Sequence, residues 1–156
     1  MFLSQGDFLI GSILFAMFVG LDAVDGTVAR LLNRNSKWGA FFDSVLDRIA
    51  DGVVLGSLAF YFANSGQTQL FVLSLISLTA SEIVSYTKAR AEGLGLNCDT
   101  GLAERPERVL IVIAGAFLGG IGFTQGLEIS IWVLTLVSVI TVIQRMIFVL
   151  KQSKNL

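Results

Sequence analysis

Four aspartates fall in two pairs, Asp22 with Asp25 at i and i+3 and Asp43 with Asp47 at i and i+4. On a helix, either spacing sets both side chains of a pair on one face. Both pairs lie in or beside long apolar runs, where lone carboxylates are costly to desolvate and repel one another. Hard divalent cations with oxygen ligands would neutralise them, and two such ions would balance the four charges. Paired metal ions suit in-line displacement at phosphorus. A single acidic residue near a helix end is more often a solvated terminus, a cap or an arginine partner, and that plainer reading suffices for Asp51 and Glu82. It does not suffice for four aspartates paired on two neighbouring helices. A transporter or channel using the same carboxylates as an ion or proton relay is the rival from another class.

The elements that position these residues follow from composition. Of 156 residues, 54% are hydrophobic and 15% charged, with a mean hydropathy of +0.76. Soluble domains are nearer a quarter charged, so the expected fold class is all-α, a polytopic transmembrane helix bundle. Histidine is absent, which leaves acid–base chemistry to carboxylates, lysine, tyrosine, bound water or a metal. A lone Cys98 excludes an internal disulfide framework and, in a polar loop, reads as a bystander. The first residues have no basic n-region and no small-residue cleavage site, so no signal peptide is expected.

A span needs about 20 mostly apolar residues. Five stretches qualify, near 8–32, 39–63, 70–88, 108–123 and 129–150, with short polar turns at "ANSGQTQ" and "GFTQGLE". Basic residues mark cytoplasmic loops. Arg30, Arg34, Lys37 and Arg48, then Lys88, Arg90, Arg105 and Arg108, then Arg145, Lys151 and Lys154 all fall toward one side of five antiparallel helices. The two polar turns carry no Lys or Arg. The expectation is a multi-pass protein of the cell membrane with a cytoplasmic C-terminus. Trp132 and Tyr61 should lie at the outer interface, Trp38 and Tyr86 at the inner one. The first two helices form a hairpin across a short basic loop, so their acidic faces can meet just inside the cytoplasmic boundary. Gly26 and Gly39, beside carboxylates, suggest close ligand access, whereas Gly115 and Gly119 suggest ordinary helix packing.

Together the motif residues spell D-x2-D-G-x2-A-R-x8-G-x3-D-x3-D, through Asp22, Asp25, Gly26, Ala29, Arg30, Gly39, Asp43 and Asp47. This resembles the signature of the CDP-alcohol phosphotransferase family of integral membrane enzymes. The resemblance implies a six-helix membrane core, usually a homodimer, in which a CDP-linked lipid such as CDP-diacylglycerol donates its phosphatidyl group to an alcohol and CMP leaves. It implies two divalent ions, Mg²⁺ or Mn²⁺, on Asp22, Asp25, Asp43 and Asp47, with Asp47 also the catalytic base. Asp22, Gly26, Ala29, Arg30, Ser36 and Gly39 would contact the CDP-lipid. Family members carry a further transmembrane helix ahead of the motif helix, so residues 1–156 are expected to be a single domain truncated at its N-terminus.

The stretch "SYTKARAEGLGLNCDTGLAERPERV" resembles the corresponding region of the phosphatidylinositol phosphate synthases of actinobacteria and their archaeal counterparts. That resemblance implies an anion pocket for the phosphate of inositol 1-phosphate, built from Lys88, Arg108 and Arg145, with Arg105 a further candidate. A plainer role for these cations is to enforce orientation. Arg145 fits that role least, because it lies inside the last apolar run. Phosphatidylglycerophosphate synthases, with glycerol 3-phosphate as acceptor, are the nearest competing reading. Membrane lipid is an expected partner and nucleic acid is not.

Overall fold

The structure is a computed structural model that describes residues 2–31 and 36–154, with side chains for 2–21, 36–123 and 125–154. Among the described residues every regular element is a helix. In chain order these are α1 (Phe2–Gln5), α2 (Phe8–Leu31), α3 (Lys37–Asn64), α4 (Thr68–Glu92), α5 (Arg105–Gly120) and α6 (Thr124–Ser153). The one proline, Pro106, sits in the first turn of α5, where its missing N–H removes no helical hydrogen bond. Ser36 caps α3, its hydroxyl accepting the Gly39 N–H at 2.9 Å. The two turns expected from sequence join α3 to α4 and α5 to α6. Each reverses the chain through a glycine at positive φ, Gly66 at +70° and Gly122 at +99°.

Helix α5 lies between α2 and α6, and α4 lies between α3 and α6. Their shared core includes Leu58, Phe62, Val112, Ala116, Ile131 and Leu134. A polar seam runs through it, with the Ser77 and Thr135 hydroxyls 2.7 Å apart between α4 and α6. A Cβ at Gly115 would collide with the Ser130 hydroxyl, and one at Gly119 would meet Leu127, so both glycines serve close α5–α6 packing as expected. The outward faces are apolar, with Phe41, Phe60, Leu136, Ile143 and Ile147 all exposed. Two helices, Thr68–Glu92 and Gln125–Ser153, are long and apolar enough to cross a membrane, and a shorter apolar run covers Phe8–Leu21. An apolar exterior on helices of this length is that of a membrane protein.

Three features depart from the sequence expectation. Helices α3, α4, α5 and α6 run past the apolar stretches at one or both ends, because hydropathy marks hydrocarbon-compatible residues while helical hydrogen bonds continue into polar ones. A short α1 precedes α2 and packs against α3. The segment between α4 and α5 is a packed strap. Side chains of α6 accept its backbone donors: Asn97 N–H gives to Gln152 Oε1 at 3.0 Å, Leu102 N–H to Gln144 Oε1 at 2.8 Å, and Ala103 N–H to Thr141 Oγ1 at 3.1 Å. Cys98, read from sequence as a bystander in a polar loop, is 1% exposed within this strap.

Candidate active site

Antiparallel helices bring alternate ends to one level, and four such ends enclose a cavity of about 280 Å³. Helix α3 contributes Ser44, Asp47 and Arg48; α4 contributes Val84, Ser85, Lys88, Ala89 and Glu92; α5 contributes Arg105, Pro106 and Arg108; α6 contributes Arg145. Glu104, the residue before α5, completes the lining. Lys88, Arg105, Arg108 and Arg145, drawn from three separate segments, therefore meet around one space, and Asp47 stands in its wall.

Each cation is held differently. Arg145 is buried; its Nε donates to Thr100 O at 2.8 Å, its Nη1 to Val84 O, and its Nη2 lies 3.6 Å from Glu104. Arg108 is also buried and donates from Nη1 to Ala103 O at 3.0 Å, while its Nη2 has no hydrogen-bond partner among the described residues. Lys88 pairs with Asp99 at 2.9 Å and reaches Glu104 at 4.0 Å. The hydrogen bond and charge of Lys88 hold the Asp99 carboxyl below its ordinary value. Arg105 is joined to α3, with Nη1 at 2.7 Å from Asp47 Oδ1 and Nε at 3.5 Å from Asp51 Oδ1.

Asp51 and Arg48 enlarge the site beyond the sequence reading. Asp51 is 7% exposed and accepts from Arg48 at 3.2 Å, so of the three plain roles open to it, solvated terminus, cap or arginine partner, it takes the last, in a buried setting. The basic-residue pattern marks Arg48 only for orientation; the structure makes it a cavity residue whose buried Nε has no partner among the described residues. Its spacing to Asp51, i to i+3, was the available signal. Glu104 faces both Lys88 and Arg145.

The motif residues divide. Asp43 is exposed one turn before Asp47 on α3 and does not line the cavity. Ser36 and Gly39 are exposed at the start of α3, where they form the cap; among the described residues, a Cβ on Gly39 would meet only the Ser36 hydroxyl, at 3.1 Å. The backbone of α2 passes through Asp22, Asp25, Gly26, Ala29 and Arg30, but their side chains lie outside the described residues. No group of three or more metal-binding side chains converges among the described residues. Asp43 and Asp47 nevertheless offer oxygen-only donors one turn apart, the chemistry a hard cation requires. Asp47 already faces a positive charge, that of Arg105.

The sequence profile of CDP-alcohol phosphatidyltransferases matches residues 1–144. The chain belongs to this family. It is 41% identical over 160 residues to the phosphatidylinositol phosphate synthase of Streptomyces avermitilis, covering 97% of this chain and 66% of that protein. It is 47% identical over 135 residues to that of Mycobacteroides abscessus, covering 85% and 60%. The chain thus spans less than two thirds of the length of these relatives. Crystal structures of the phosphatidylinositol phosphate synthase of Mycobacterium tuberculosis share the fold at 37% identity. The one with CDP-DAG bound superposes with a TM-score of 0.89 over 96% of this chain and 77% of that one. The one in complex with manganese and citrate gives 0.90 over 96% and 73%.

Proposed function

We propose that residues 1–156 form a membrane-embedded transferase domain that moves the phosphatidyl group of CDP-diacylglycerol to the hydroxyl of inositol 1-phosphate, releasing CMP. The observation that carries this reading is the cation-lined cavity beside Asp47. A buried Arg108 donor without a partner among the described residues is an unusual cost unless an anion completes it. Clustered guanidinium and ammonium groups suit a phosphorylated acceptor better than a neutral alcohol. The relatives named phosphatidylinositol phosphate synthase, and the CDP-DAG complex of one, support the same substrates.

In this mechanism Lys88, Arg108 and Arg145 orient the acceptor through its phosphate. Asp47 accepts the proton of the attacking hydroxyl. The new oxygen–phosphorus bond forms at the β-phosphorus of the donor, and the bond to the CMP oxygen breaks. Asp22, Asp25, Asp43 and Asp47 would hold two divalent cations, Mg²⁺ or Mn²⁺; manganese is present in one complex of the M. tuberculosis relative. Bound there, such ions would supply neutralisation of charge on the phosphate oxygens. Gly26, Ala29, Arg30, Ser36 and Gly39 would border the nucleotide. Five spans with the cavity end facing the cytoplasm would let the lipid tails remain in the bilayer; the two long apolar helices support this arrangement.

The test is CMP release by purified protein given CDP-diacylglycerol and Mg²⁺ or Mn²⁺, with inositol 1-phosphate, inositol and glycerol 3-phosphate in parallel. Inositol 1-phosphate should be the preferred acceptor, and Asp47→Asn should abolish release without loss of fold. Equal turnover of inositol and inositol 1-phosphate, or full activity in Asp47→Asn, would overturn the assignment. Ion flux through reconstituted vesicles without CMP release would favour the transporter reading instead.

A further inference from the structure

Arg105 differs from the other three cations the proposed pocket shares. Lys88, Arg108 and Arg145 are tied to Asp99, to Ala103 O, and to Thr100 O and Val84 O, groups with no part in the proposed reaction. Among the described residues, Arg105 alone of the four is paired with a carboxylate of the motif, at 2.7 Å from Asp47. A charge-assisted bond of that length competes directly with any cation that needs the same oxygens. A second seat lies beside the first. Asp51 follows Asp47 by one helical turn on the same face of α3. Its Oδ1 is 3.5 Å from Arg105 Nε, inside ion-pair range, yet that Nε makes no hydrogen bond among the described residues. Asp51 is itself fixed, buried and bonded to Arg48.

Resting on the function proposed above, we infer that Arg105 is a positioning residue that couples the two binding events. It holds Asp47 when no divalent cation is bound, and it shifts to Asp51 and the acceptor phosphate when a cation takes Asp47. A divalent cation on Asp47 repels the guanidinium, and an anion in the cavity attracts it. Each ligand therefore removes an obstacle to the other. Linkage requires the effect to be reciprocal: the anion tightens the metal by the same factor as the metal tightens the anion.

The experiment reads Mn²⁺ binding directly, from the electron paramagnetic resonance signal of free Mn²⁺, on wild type, Arg105→Gln and Arg105→Lys, each with and without saturating inositol 1-phosphate. In wild type the anion should tighten Mn²⁺ about fivefold or more, the lower range of typical couplings. Arg105→Gln should bind Mn²⁺ more tightly than wild type without the anion, and its coupling should fall below about twofold. Arg105→Lys keeps the charge but cannot bridge two carboxylates as the planar fork does, so its coupling should also collapse. Coupling in Arg105→Gln equal to wild type would overturn the inference, as would wild-type coupling in Arg105→Lys. Failure of wild type to bind Mn²⁺ at all would overturn the proposed function along with it, whereas normal Mn²⁺ binding with unchanged coupling in the variants would sink this inference alone.

Discussion

Replacing Arg145 by Gln tests whether the cavity is a rigid assembly or a loose gathering of charges. The side chain of Arg145 is 3% exposed and joins three elements, giving one hydrogen bond to Thr100 O in the strap, one to Val84 O in α4 and an ion-pair contact to Glu104. Two hydrogen bonds from a charged donor are each worth about 1.5–3 kcal/mol, which sets an upper bound of about 6 kcal/mol. Water entering from the adjoining cavity can satisfy part of what is lost, so the expected destabilisation is about 2–4 kcal/mol. For a chain of this size that corresponds to a drop in Tm of roughly 5–15 °C. Trp38 and Trp132 provide the signal for thermal unfolding in detergent micelles by intrinsic fluorescence. Arg145→Lys keeps the charge but not the fork, and should lose at least half as much. A Tm for Arg145→Gln within about 2 °C of wild type would refute the reasoning, because it would mean the strap and α4 do not depend on these bonds.

Lys88→Gln and Arg108→Gln should each raise KM for inositol 1-phosphate by about 10–100-fold, the loss of one charge-assisted contact, with little change in KM for the CDP-lipid; steady-state kinetics on both substrates checks this. The Lys88–Asp99 pair sets a pH expectation. Because Lys88 depresses the folded-state pKa of Asp99, any stability the pair contributes is complete above the ordinary value of 3.8 and is lost as pH falls through the lower folded value. Wild type and Asp99→Asn should therefore differ by the same Tm increment from pH 5 to 8, converging only in stronger acid. In the α5–α6 contact, Gly115→Ala should destabilise by about 1–3 kcal/mol, since its Cβ would strike Ser130. Gly52→Ala, whose Cβ would meet nothing within 4 Å among the described residues, should be neutral or stabilising by up to about 1 kcal/mol in the same unfolding assay.

Apolar runs of span length and two short polar turns were enough to expect an all-helical bundle, and the distribution of basic residues was enough to expect Lys88, Arg105, Arg108 and Arg145 at one end of it. Antiparallel helices do the rest: whatever lies near alternate helix ends must meet. Side-chain partners were not legible in this way. The bond from Arg105 to Asp47 depends on how far the first turn of α5 reaches across to α3, which no local pattern encodes. Arg48 was visible only as a charge near a span, although its spacing to Asp51 announced an intrahelical pair. The strap between α4 and α5 looks like a polar loop by composition. Its order comes from Thr141, Gln144 and Gln152, 38 to 55 residues later in the chain, which accept its backbone N–H groups. Gly101 belongs to the same fit, for a Cβ there would come within 2.6 Å of Thr141 Cγ2.

The central claim is that the cavity beside Asp47 selects its ligand by a phosphate. Equilibrium binding of inositol 1-phosphate and of inositol to the purified protein with Mn²⁺ present, measured calorimetrically on wild type and Arg108→Gln, addresses it most directly. The account predicts that wild type binds inositol 1-phosphate at least about 100-fold more tightly than inositol, and that Arg108→Gln loses most of that difference. Equal affinity for the two compounds, or a preference that survives intact in Arg108→Gln, would contradict it.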